Sequence, residues 1–505
     1  MTQSDFRNGD PEPCPKQFNL ARYVMAPADR TPDKTALEIL GTDGIALSLT
    51  YTALRSRVLA TAQGLRDFGI KPGDIVVLRL GNTPVFPVTF LAAAAIGALA
   101  VPTARDLRKA EFETLCDTFA HVAMIVTDDP DVTGLSVIGP ERIWDMGHGP
   151  PAEFQDSSAQ DAAYIIFTSG SSGKPKAVVH AHRAVWARRM MWQDWYGLTP
   201  DDRMLHSGAL NWTYTLGTGL LDPWAIGATA LVCDTTPDRT EWGALIARHR
   251  PTILATAPGI LRQISEGQPT GLARACQSLR HVLSAGEGLP SAVRDAFQNA
   301  SQKPIYTALG MSEISTYLSS SPTTGQRDGS GKPQSGRRIG ILDRRDLVAI
   351  GEVGEIGVHR SDPGLMLGYH QRGGPPLLPL NGEWFMTGDR GVMDAEGWVT
   401  HCGRSDDVMN AGGYRVAPHE PEAVLAQHPA ITEVAVAAVA VRDGVHVIAA
   451  FYSGTLTDEA VLHAFASDKL ARYKQPRAYI HVEALPRRGN GKLARKELPG
   501  LWKNR

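Results

Sequence analysis

The chain has 505 residues, 43% of them hydrophobic, with 51 Lys plus Arg against 53 Asp plus Glu. That length exceeds what one hydrophobic core organises, so two or more domains are expected, and the balanced charge gives no electrostatic case for nucleic acid or a membrane surface as partner. Cys14, Cys116, Cys233, Cys276 and Cys402 are scattered, with no C-x-x-C pair, which argues against a zinc site or a disulfide framework and fits a reducing, cytoplasmic location.

The opening MTQSDFRNGDPEPCPKQ is polar and lacks the apolar stretch of a secretory signal. Tyr51 to Phe68 has a helical pattern, and Ile75–Leu78 reads as a buried strand. Phe86 to Val101, FPVTFLAAAAIGALAV, is nearly devoid of polar groups but too short for a spanning helix. It reads as a buried helix packed on a sheet, with no membrane span. A strand is expected at Met124–Val126.

Tyr164–Phe167 is another apolar run. It opens into Thr168-Ser169-Gly170-Ser171-Ser172-Gly173-Lys174-Pro175-Lys176, after which Ala177–His180 reads as a second strand. Glycines and small residues let backbone N–H groups wrap an anion closely, while the hydroxyls add donors and Lys174 and Lys176 add charge. A Walker A loop would need Gly at 168 and Ser or Thr at 175, where this chain has Thr and Pro. A flexible surface linker would rarely sit between two buried strands.

Helical patterns follow at Ala181 to Trp195, Thr215 to Ala225 and Glu241 to Arg250, alternating with strands at Ala230–Val232 and Thr252–Leu254. Such alternation predicts an α/β protein with largely buried parallel strands. Between the first two helices lies Leu205 to Tyr214, with Asn211 and Trp212 near its end. Further on come Ser284-Ala285-Gly286-Glu287, Tyr306, and Gly310-Met311-Ser312-Glu313. From about 340 to 403, Gly, Pro and short strands predict a small β-rich subdomain carrying Thr387-Gly388-Asp389. Gly403-Arg404-Ser405-Asp406-Asp407 follows, a polar stretch suited to a domain boundary.

Ala411-Gly412-Gly413-Tyr414 comes next. A helix at Pro421–His428, strands at Glu433–Val441 and His446–Tyr452, and a helix at Asp458–Leu470 then lead to Pro486-Arg487-Arg488-Gly489-Asn490-Gly491-Lys492. The expected fold class is therefore α/β: a large N-terminal domain of α/β layers, residues 1–404, with its β-rich subdomain, plus a small mobile C-terminal α+β domain, 405–505.

In order and spacing these segments resemble the motifs of the adenylate-forming superfamily: acyl- and aryl-coenzyme A synthetases, peptide-synthetase adenylation domains and firefly-type luciferases. The resemblance covers nearly the whole chain. It implies that residues 168–174 and Lys176 cradle the phosphates of ATP, and that Gly286, Glu287, Gly310, Met311 and Ser312 border the nucleotide. Glu313 would hold Mg²⁺, Asp389 would accept from the ribose hydroxyls, and Arg404 would contact ribose or phosphate. Lys492 would be the adenylation lysine, Asp406 the hinge of the small domain, and Gly412 and Gly413 part of the coenzyme A channel. Two departures stand out: Tyr306, the candidate for stacking on adenine, does not directly precede Gly310, and Asn490 stands where Ser or Thr is common.

The implied activity is ATP-dependent formation of an acyl-adenylate and then of its coenzyme A thioester, with Thr168, Glu313 and Lys492 as catalytic candidates. Its partners would be a small-molecule carboxylic acid, ATP and coenzyme A, and a homodimer is left open. Asn211, Trp212, Gly217, Ala285 and Gly310 are the candidates for the acyl pocket. Counted back from Gly227, Trp212 matches the G-W dipeptide of acetyl- and medium-chain synthetases, and it reads equally as pocket wall or core aromatic. No Asp is placed to grip an α-amino group, so an aliphatic, alicyclic or aryl acid is favoured. A stand-alone adenylation enzyme that loads a carrier protein, a luciferase-type monooxygenase and a silent nucleotide-binding regulator are the alternatives. The resemblance also suggests Lys492 as a target of regulatory acylation.

Overall fold

The computed structural model describes the chain apart from residues 1–2, 42–43, 135, 169–174, 268–269, 328, 406–408, 412–413, 417, 443–444, 488–492 and 503–505. Two sheets organise the longer, N-terminal part. In the smaller, the uninterrupted apolar runs form a parallel centre of Ala162–Thr168, Leu99–Thr103, Ile75–Arg79 and Met124–Thr127. Lys176–Ala181 and Gly368–Gln371 extend it in antiparallel fashion.

The larger sheet has a parallel row of Thr35–Gly41, Thr229–Cys233, Arg203–His206, Ile253–Thr256, His281–Ala285 and Ile305–Met311. Its direction reverses at Ser315–Ser319. It then runs through Ser330–Pro333 into Val399–Arg404, Trp384–Met393, Val353–His359 and Arg338–Asp343. The β-rich region is thus a hydrogen-bonded continuation of the large sheet, and Asp5–Arg7 supplies an edge strand to it.

Two expectations need correction. The apolar stretch from Phe86 is helical only over Val85–Ala95, every residue of which is buried, and Leu99–Thr103 is a strand. Gly97, at φ +79°, makes the reversal, where a Cβ would press on Pro72 and Gln155 at 3.3 Å. The helix expected from Ala181 to Trp195 is also interrupted. It comprises Arg183–Ala187 and a π-helical turn, Trp192–Tyr196. The break falls at Arg188, whose guanidinium is drawn into the core by Asp222. A second π-helical stretch, Thr215–Leu221, leads into the helix Asp222–Ile226.

The C-terminal part is built on Ile431–Arg442 and Val445–Gly454, paired antiparallel, with Ala478–His481 parallel to the latter. Both faces of this sheet are covered. Val436, Ile448 and Leu462 lie in one apolar cluster, Val439, Phe451 and Leu498 in the other. Among the described residues no helix is long and apolar enough to cross a membrane.

Burial holds several core histidines neutral. His180 and His281 are pulled from 6.5 to about 4, and His206 to about 3, chiefly by desolvation. In the unfolded chain these imidazoles take up protons as the pH falls through 6.5, and in the folded chain only much lower. The unfolded state therefore binds more protons in that window, and stability present above pH 6.5 is lost as the pH falls toward 4. Thermal melts across this range should show a steadily falling midpoint. A level midpoint would contradict the neutral-histidine core.

Candidate active site

The strands Ala162–Thr168 and Lys176–Ala181 pair with Thr168 opposite Lys176. The Ser- and Gly-rich loop therefore closes a β-hairpin, and Ser169 to Lys174 lie outside the described residues. The base of this hairpin is tied to the next motif. His180 stacks on Tyr164, with ring centroids 4.8 Å apart, and its Nε2 donates to the Ser312 carbonyl at 2.7 Å. Because burial keeps this imidazole neutral, one tautomer serves the bond at neutral pH.

Ser312 and Glu313 stand in the turn between Ile305–Met311 and Ser315–Ser319. The two strands approach so closely that a Cβ on Gly310 would lie 2.6 Å from the Ser315 carbonyl oxygen. Gly310 is thus demanded by the hairpin itself. Glu313 is buried, and its Oε1 accepts from the Tyr369 hydroxyl at 2.9 Å. Burial, then the neighbouring Glu313, push the Tyr369 phenol far above its ordinary range, so it stays a donor. Lys176 Nζ lies 4.7 Å from the centre of the Tyr369 ring, which suits a cation–π contact. Thr213 Oγ1 reaches Ser312 Oγ at 3.4 Å. No motif had signalled Tyr369.

Asp389 is buried on Trp384–Met393, opposite Arg404 in register. Tyr317 donates to its Oδ2 at 3.2 Å, while His401 Nε2 and Arg404 Nη1 lie 3.4 and 3.5 Å from Oδ1. Gly388, at φ +76°, leaves the room Arg404 needs: a Cβ would fall 2.7 Å from Nη2. Tyr317 and His401 went unmarked in the sequence because they reach Asp389 only through the tertiary fold, from other strands.

Trp212 is half-buried and seated on two glycines. A Cβ on Gly286, itself at φ +99°, would stand 2.7 Å from the indole Cζ2, and one on Gly208 3.1 Å from Cε3. Tyr214 meets the indole edge-on at 5.1 Å. Ala285 is buried and pairs with Ala308, and Asn211 is half-buried beside Trp212. Two residues are placed otherwise than expected. A Cβ on Gly217 would fall on the Arg188 guanidinium, so Gly217 makes room for that buried cation. Tyr306 packs edge-on against His281 at 5.4 Å, and Leu309 is the residue that precedes Gly310. Strand alternation aims Tyr306 and Leu309 to opposite faces.

The C-terminal part meets the site through charge. Glu287, following Gly286, accepts from Arg487 Nη1 at 3.1 Å. Arg487 Nη2 donates to Glu433 at 2.6 Å, and Arg262 lies 2.7 Å from the same carboxylate. Burial raises the Glu287 carboxyl and Arg487 opposes the rise. Four alternating charges thus bridge the two parts, directly before the segment of Lys492. Lys492, Asp406, Gly412 and Gly413 lie outside the described residues. No group of three or more His, Cys, Asp or Glu suited to a metal occurs among the described residues.

Two family models match the chain: the AMP-binding enzyme over residues 25–370, and the AMP-binding enzyme C-terminal domain over 420–492. The 3-hydroxybenzoate–CoA ligase of Aromatoleum sp. (strain CIB) is 29% identical, covering 96% of this chain and 97% of that protein. The anthranilate–CoA ligase of Pseudomonas aeruginosa is also 29% identical, over 90% coverage here and 92% there. Among solved structures, a benzoate CoA ligase from Burkholderia xenovorans LB400 superposes with a TM-score of 0.85 at 27% identity, covering 95% of this chain and 100% of that one.

Removing Glu433 leaves Arg262 and Arg487 facing one another. Glu433→Ala should leave both parts folded but loosen their contact. Limited proteolysis near residues 404–409 should then accelerate about fivefold or more, the partial exposure of these groups moderating the cost of a broken pair. An unchanged cleavage rate would show that the charges do not hold the contact.

Proposed function

The chain belongs to the AMP-binding enzyme family, and we propose that it is an ATP-dependent aryl acid–CoA ligase. The observation that carries this reading is the convergence on Ser312–Glu313. His180 arrives there from the loop hairpin, Tyr369 from the strand beside it, and Thr213 from the segment of Trp212. The hairpin that leads into the Ser- and Gly-rich stretch, an acidic group and a flat aromatic wall therefore adjoin one turn. The aryl preference is supported by the indole wall on Gly286 and by the hydroxybenzoate, anthranilate and benzoate ligases among the relatives.

In the first step a carboxylate oxygen of the acid attacks the α-phosphorus of ATP, forming the mixed anhydride and breaking the bond to pyrophosphate. Two anions must be brought together, so the protein's work is positioning and charge compensation. Thr168, Lys176 and the loop between them would hold the phosphates. Asp389 would take the ribose hydroxyls, with Arg404 beside it. Lys492 would reach the reacting carboxylate and phosphate with its ammonium. In the second step the thiol of coenzyme A attacks the acyl carbon, AMP leaves, and the thiol proton is lost to solvent. Gly412 and Gly413 would border the thiol's approach after the C-terminal domain turns about Asp406.

Glu313 fits a Mg²⁺ ion. It is a buried carboxylate with one oxygen hydrogen-bonded to Tyr369, and Mg²⁺ on a nucleotide typically takes one or two carboxylates beside phosphate oxygens and water. The ion would spread the charge of the phosphates. The five cysteines are free thiols, in keeping with a cytoplasmic setting.

AMP release should be measured with coenzyme A across benzoate, hydroxy- and aminobenzoates, alicyclic acids and short fatty acids. Release with the aromatic acids and thioester as product are expected. Activity with fatty acids alone, or only with a carrier protein as acceptor, would overturn the assignment. Lys492→Ala should lower acid-dependent ATP–pyrophosphate exchange at least about 100-fold. Tyr369→Phe, which removes a hydrogen bond to a carboxylate, should lower kcat/KM for ATP about tenfold.

A further inference from the structure

Two buried guanidinium groups flank the strand that follows Glu313. Arg337 is the simpler. It pairs with Asp362 at 2.6 Å and donates to the Thr316 carbonyl at 2.7 Å, a scaffold bond. Arg188 has a wider reach. Its Nε and Nη2 grip both oxygens of Asp222 at 2.6–3.0 Å, Nη2 also meets Tyr196 and Thr218, and Nη1 donates to Ser315 Oγ at 2.6 Å.

Three locally unfavourable features surround this one cation. Ser315 has φ +71°, a left-handed conformation that non-glycine residues seldom adopt. Gly217 sits inside a helical segment because a Cβ there would collide with the guanidinium. That segment, Thr215–Leu221, is π-helical, as is Trp192–Tyr196, which supplies Tyr196. Asp222 neutralises the charge, and acceptors held in ordinary backbone conformations would serve the remaining N–H groups of a buried arginine equally well. Rare backbone conformations gathered at one point mark a place where geometry is held for a purpose.

The connections show what is held. Ser315 lies two residues beyond Glu313 and closes the turn that carries it, facing Met311 in register. Thr218 and Gly217 belong to the segment that continues from Trp212. Arg188 itself follows the strand that leaves the phosphate loop. We propose that Arg188 is a positioning residue that, through Ser315, sets the orientation of Glu313 toward a magnesium–nucleotide and registers it against the acid wall. This rests on the role given to Glu313 above.

The test uses the full chain with Ser315→Ala and Ser315→Gly, both of which leave the Arg188–Asp222 pair intact. Binding of ATP is measured by calorimetry with and without Mg²⁺ and without any acid. Both variants should weaken MgATP binding and raise the Mg²⁺ needed for half-saturation about five- to tenfold, with ATP binding in chelator little changed. If Ser315 were only a strained position, Ser315→Gly would relieve the strain and bind MgATP as the wild type does, which would overturn the proposal. MgATP affinity within about twofold of wild type in both variants would also overturn it. Should Ser315→Ala fail to fold, Ser315→Gly suits the observed φ and decides alone. Wild-type protein that binds MgATP but activates no aromatic acid would sink the substrate assignment and leave this inference standing. Wild-type protein that binds no MgATP would end both.

Discussion

The reversal at Gly310–Ser315 is the constraint on which most of the molecule turns. Up to Ile305–Met311 the large sheet is parallel, and each new strand needs a helical crossover to return. At Gly310 the chain instead doubles back so tightly that no side chain fits between the strands. From there the sheet continues in antiparallel fashion into the β-rich region. The turn created by this change of direction carries Ser312 and Glu313. It is met by His180 from the smaller sheet and by Tyr369, whose strand also belongs to that sheet. A topological switch and a cluster of polar groups therefore coincide, as is common where ligands bind in α/β proteins.

The buried charges around this point differ in how fully they are met. Arg188 and Arg337 each face a buried aspartate and further acceptors, as the cost of burying an ion demands. Asp389 is approached by three donors. Among the described residues, the Glu313 carboxylate takes one hydrogen bond, from a neutral phenol, which leaves it acceptor capacity for a cation. The contrast separates groups that hold the fold from one suited to a ligand. At the contact between the two parts, Arg487 sits between Glu287 and Glu433, and Glu287 is next to Gly286, which seats Trp212.

Much of this was legible in the sequence, for identifiable reasons. Strands buried on both faces must be uninterrupted apolar runs, so Ile75–Leu78, Met124–Val126 and Ala230–Val232 were readable as written. The two strands flanking the Ser/Gly stretch were readable in the same way and do pair as a hairpin, whereas the anion loop expected between them lies outside the described residues. Local pattern failed where a tertiary partner overrode it. The helix from Ala181 breaks at Arg188 because Asp222 captures the side chain, and the apolar run from Phe86 divides at Gly97 because the chain must turn to enter the sheet.

The sequence by itself determined the α/β alternation, the order of the motifs and the family they point to, since each depends on residues close together in the chain. Only the tertiary structure decided which distant residues meet. Tyr369 lies 56 residues from Glu313, Arg188 is 127 from Ser315, and Arg487 is 200 from Glu287. No periodicity or spacing encodes such pairs, because they arise from sheet register and from the need of each buried charge to find a partner.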